Sequence, residues 1–67
     1  MRLIVVRPRD TVEVLIANIK GTSKYRFVNL TKGHICTCVF DSVDAAIRDL
    51  QQYVADGRVI SFSILEK

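Results

Sequence analysis

Sixty-seven residues make room for one domain, and a chain of this size buries only roughly 60% of the surface its unfolded form exposes, so its stability is small. Hydrophobic residues at 49% and charged residues at 25% exclude a disordered chain. The formal charge of +3 is well below that of a committed nucleic-acid binder, but it is unevenly spread: Arg2, Arg7, Arg9, Lys20, Lys24, Arg26 and Lys32 face only Asp10 and Glu13 in the first half, whereas the second half is acidic.

The chain opens with a β-branched-rich run that stops at Pro8, which cannot donate to a strand ladder, so a first strand and a turn through Pro8, Arg9 and Asp10 are expected. The same apolar run ends far short of a signal-peptide core or a membrane span. A second strand runs from Val12 to Ile19 and breaks at Lys20-Gly21-Thr22-Ser23. Tyr25 to Leu30 forms a third, and Thr31-Lys32-Gly33 has the form of a three-residue hairpin loop. His34 to Phe40 makes a fourth.

Asp41 or Ser42 then caps a helix whose Val43, Ala46, Ile47, Leu50, Tyr53 and Val54 fall on one stripe, and Gly57 stops it. The last strand, Arg58 to Ile64, alternates so that Ile60, Phe62 and Ile64 share one face. The order ββββαβ predicts a two-layer α+β fold: a four- to five-stranded, mainly antiparallel sheet with one helix on one face. Residues 1–67 read as a single domain.

Five strands spaced about 4.8 Å apart span roughly 24 Å, whereas one helix with its side chains covers about 10–12 Å. Strands one and two nonetheless carry apolar side chains on both parities, Leu3 and Val5 against Ile4 and Val6, and Val12, Val14 and Ile16 against Leu15, Ala17 and Ile19. Something beyond the helix must shield them. A second copy is the expected shield, because twofold dimers are the commonest oligomers and an apolar first strand invites edge pairing. Leu3, Val5, Leu15, Ala17 and Ile19 are the expected interface.

His34, Cys36 and Cys38 form H-x-C-x-C, which on a strand places all three on one face. As zinc ligands they lack an evident fourth donor and the second paired motif of a strong zinc signature. Residues two apart on a straight strand place their Cβ atoms about 6.6 Å apart, too far for a disulfide, so the cysteines are expected as free core residues in a reducing compartment. A single histidine, no phosphate-cradling glycine loop and no close carboxylate pair argue against an enzyme and against a cofactor.

The basic residues Arg7, Arg9, Lys20, Lys24, Arg26 and Lys32, with Tyr25 or Phe27 for stacking, make a weak nucleic-acid surface the alternative function. Tyr25-Arg26-Phe27-Val28, a hairpin, and then Phe40 to Ala46 loosely resemble the three-strand-plus-helix DNA-binding domains of plant transcription factors and phage integrase arms over roughly residues 24–54. No binding residue carries over from that resemblance. The leading expectation is a non-catalytic interaction module, a small cytoplasmic bacterial or phage protein acting through a homodimer or a protein partner. Small-ligand binding between sheet and helix would need a pocket that so short a chain scarcely encloses.

Overall fold

The structure, a computed structural model, describes residues 1–66. Its elements follow the expected order: β1 (Arg2–Val6), β2 (Thr11–Asn18), β3 (Tyr25–Asn29), β4 (His34–Ile35), α1 (Val43–Ala55) and β5 (Ser61–Glu66). The five strands form one antiparallel sheet in the order β4-β3-β2-β1-β5, with α1 packed on one face. The fold is therefore the two-layer α+β arrangement that the pattern predicts.

Each turn closes through local chemistry. In the β1–β2 turn the Arg7 amide donates to the Asp10 carbonyl at 2.7 Å, and the Arg7 guanidinium grips both Asp10 carboxylate oxygens at 2.6 and 2.7 Å. Such a fork fixes orientation as well as charge. In the β3–β4 turn Gly33 adopts φ +74, and its amide donates to the Asn29 carbonyl. A side chain at that angle would be strained, so the glycine is a requirement of the hairpin.

Ser42, rather than Asp41, caps α1: its hydroxyl accepts from the Ala45 amide at 3.0 Å, and Asp44 adds negative charge where the helix dipole favours it. The helix ends at Asp56, and Gly57 at φ +79 reverses the chain. Leu3, Val5, Val12, Val14, Ile16 and Phe27 of the sheet meet Ala46 and Leu50 of the helix and Val59 beyond it, and these nine are the buried core. Phe40 packs edge-on against Phe27, ring centres 4.9 Å apart.

Three expectations need correction. The apolar first strand is not an edge: β1 lies inside the sheet between β2 and β5, so its backbone groups are already paired. The last strand begins three residues late, and Val59, not Ile60, enters the core; Ile60 and Ile64 stay 59% and 45% exposed. The reason is position, since α1 packs chiefly on β3 while β5 is an outer strand beyond the helix. Val54 likewise lies at the margin of its stripe, 37% exposed.

The third concerns the cysteines, which are joined in a disulfide, with Cα atoms 5.3 Å apart. The predicted fourth strand is regular only at His34 and Ile35. The Cys36 amide still donates to the Phe27 carbonyl, and Phe40 pairs with Tyr25 through two backbone hydrogen bonds of 2.9 and 2.8 Å. Between those anchors β3 has only Arg26, while the facing chain has Thr37, Cys38 and Val39. The surplus bulges outward and draws the two cysteines closer than a straight strand would hold them. The disulfide removes the argument from cysteine usage for a reducing compartment.

Candidate functional site

The face of the sheet turned away from α1 carries no covering element, and its side chains follow from the register. Arg2, Leu15, Val28 and Ile35 stand side by side across β1, β2, β3 and β4. Ala17 pairs with Arg26, while Ile4 and Val6 occupy alternate places on β1. Leu15, Ala17, Val28, Ile4 and Val6 are only half-buried, and Ile35 is 59% exposed. An apolar strip thus runs diagonally over the back of the sheet.

Charge crosses this strip: Arg2 pairs with Leu15 and Glu13 with Ile4, so the Arg2–Glu13 ion pair lies between Leu15 and Ile4. Arg2 bridges Glu13 at 3.0 Å and Glu66 at 3.2 Å, so this end is polar and carries a net negative charge. At the other, the Arg26 Nε is covered by its surroundings and has no hydrogen-bond partner among the described residues. A buried donor without an acceptor is costly, of the order of 1–3 kcal/mol.

The expected interface residues do not form one surface. Leu3 and Val5 are 0% and 3% exposed beneath α1, on the opposite face from Leu15 and Ala17, so they cannot touch a partner while the domain is folded. Ile19 lies past the end of β2, in the turn toward β3. Alternation along β1 gave both parities apolar side chains; the parity turned away from α1 is that of Ile4 and Val6, which stay half-buried. Val28 and Ile35 were missed, and only the pairing of Val28 with both Leu15 and Ile35 reveals that they extend the strip.

Three of the six basic residues are paired with carboxylates. Arg7 is held by Asp10, Lys32 reaches the same carboxylate at 3.4 Å, and Lys24 pairs with Asp41. Hydrogen bonding from Arg7, with help from Lys32, holds the Asp10 carboxyl below the usual range against the opposing effect of burial; Lys24 does the same for Asp41. Arg9, Lys20 and Arg26 have no carboxylate partner among the described residues, and they sit in different parts of the sheet and its turns.

On the helix side a cleft of about 220 Å³ opens between α1 and the sheet. Val5, Val12, Val14, Phe27, Leu50 and Val59 form its apolar wall, and Arg7, Asn29, His34, Cys36 and Tyr53 its rim. The Arg58 guanidinium lies 5.6 Å from the centre of the Tyr53 ring. Burial, with Asp49 beside it, pushes the Tyr53 phenol up from its ordinary value while Arg58 opposes the shift. A single copy therefore forms an open cleft, smaller than the roughly 300–1,000 Å³ of ordinary ligand pockets.

His34 and Cys36 both reach that rim, but Cys36 and Cys38 are bonded to each other, so neither offers a thiolate to a metal in this state. Among the described residues no three His, Cys, Asp or Glu side chains are grouped to hold a metal ion. Among them, too, no helix is long and apolar enough to cross a membrane. The chain matches no protein-family model, no curated protein and no solved structure.

Proposed function

We propose that this chain is a non-catalytic interaction module whose working surface is the uncovered face of its sheet, and that a second copy is what covers it. One observation carries the reading: Leu15, Val28 and Ile35 form a contiguous apolar row on a face that no other element shields.

Small size favours a weak pairing. The row Leu15, Val28 and Ile35 spans only β2 to β4, strands about 4.8 Å apart, and β4 is two residues long, so the apolar face is well short of the about 800 Å² per partner of a standard interface. The association is therefore weak and reversible, with a Kd of about micromolar or above. A small bacterial or phage accessory protein of the cytoplasm fits such a module.

Sedimentation equilibrium over about 1 μM to 1 mM is the test, because that range brackets such a Kd. The mean mass should rise from 7.6 kDa toward twice that value. A constant 7.6 kDa throughout would overturn self-association and leave the face to a different protein. The nucleic-acid alternative draws little support, since Arg7, Lys24 and Lys32 already serve as partners of carboxylates.

A further inference from the structure

We propose that Cys36–Cys38 is a reversible thiol–disulfide exchange centre for small thiols, set at the rim of the cleft under α1. It stands apart from the association reading, because it lies on residues that the apolar strip does not use.

The bond is poorly suited to serve as a staple. The stabilisation a disulfide brings grows with the loop it closes, and this one encloses a single residue, Thr37. Both cysteines are half-buried rather than sealed in the core, and Thr37 and Val39 around them are exposed. Accessible disulfides are the labile ones. The bulge that carries them is anchored on both sides by the hydrogen bonds of Cys36 to Phe27 and of Phe40 to Tyr25. Opening the bond therefore leaves the sheet intact and keeps the two sulfurs close enough to close again.

The two sulfurs are not equivalent. The Cys38 amide donates to the Cys36 Sγ at 3.2 Å, and a donor aimed at sulfur favours its anionic form. Cys36 is thus the better leaving group. An incoming thiolate attacks the Cys38 Sγ; the bond between the cysteines breaks, its electron pair stays on Cys36, and the small thiol is left in a mixed disulfide with Cys38. A second thiolate then attacks the outer sulfur of that mixed disulfide, releasing the small disulfide and the Cys38 thiolate, and the protein thiolates take up protons from water. The protein gains two electrons and two thiols are oxidised to one disulfide; a small disulfide drives the reverse.

The full chain should be equilibrated at pH 7 with reduced and oxidised glutathione in varied ratio, quenched by alkylation, weighed by mass spectrometry, and followed in parallel by circular dichroism. The bond should open at millimolar reduced glutathione with the spectrum unchanged. In the reduced protein Cys36 should alkylate several-fold faster than Cys38, and Cys36→Ser should trap one glutathione on Cys38. A bond that opens only as the chain unfolds, a reduced chain that loses its fold, or equal alkylation rates at the two cysteines would overturn the proposal. The measurements on the unaltered chain decide the matter even where the serine variant fails to fold.

Discussion

Leu15 of β2 stands directly across from Val28 of β3 on the face that α1 leaves bare, while its neighbour Val14 points the opposite way into the core. Adjacent residues of one strand therefore answer to different surroundings, and substituting each separates association from folding. Leu15→Lys should raise the dimer Kd at least tenfold, about 1.4 kcal/mol, and leave most of the monomer's stability in place. Val14→Lys should unfold the chain, because a charge forced into the apolar core has no partner there. Sedimentation and thermal melts read the two effects independently. Equal unfolding by both variants would show that the uncovered face is not an outer surface.

The core supports a second prediction, because so few side chains compose it. Leu50 is 4% exposed and Val54, one helical turn on, is 37% exposed. Leu50→Ala should cost about 2–5 kcal/mol, a large part of the roughly 3–10 kcal/mol that a domain of this length commands. Val54→Ala should cost well under half as much, since it removes methyl groups that water already reaches in part. Urea unfolding monitored by circular dichroism gives both values. A near-equal loss would mean that α1 is turned differently on the sheet.

Element order was legible because each boundary carries its own chemistry: Pro8 ends β1, Ser42 offers a capping hydroxyl, and Gly57 supplies the positive φ that stops α1. The two-sided apolar character of β1 was legible for the same local reason. Which parity faces the helix was not, since alternation is symmetric, and that choice placed Leu3 and Val5 inside and left Ile4 and Val6 outside. The pairing of β1 with β5 joins residues more than fifty positions apart, as at Val5 and Phe62, and no local pattern encodes it. The disulfide escaped because a straight strand was assumed where the facing chain carries surplus residues.

The two ends of α1 lend themselves to a paired test. Ser42→Ala removes the acceptor of the Ala45 amide and should cost about 1 kcal/mol. At Gly57 nothing lies within 4 Å of where a Cβ would stand, so the cost of Gly57→Ala comes from its φ of +79 alone. It should be about 1–2 kcal/mol, the strain of a left-handed residue with a side chain. Urea midpoints measure both, and a neutral Gly57→Ala would show that the helix ends differently in solution.

Acid should weaken this domain through Asp10. The Arg7 hydrogen bonds, joined by Lys32, hold its carboxyl below the usual range, so the folded chain keeps that proton off to lower pH than the unfolded chain does. A group with a depressed folded pKa contributes its stabilisation in full above the unfolded value, about 3.9, and loses it as pH falls through the folded value. Asp41, lowered by Lys24, acts in the same direction. Asp10→Asn should therefore melt at a lower temperature than the parent at pH 7, and the gap should close as pH falls through the lowered folded value, where the parent's Asp10 also becomes neutral. Raising the salt should narrow the gap at pH 7 as well, since the partners are partly exposed. A gap of constant size from pH 7 to pH 2 would mean that the β1–β2 turn depends on the shape of the aspartate and not on its charge.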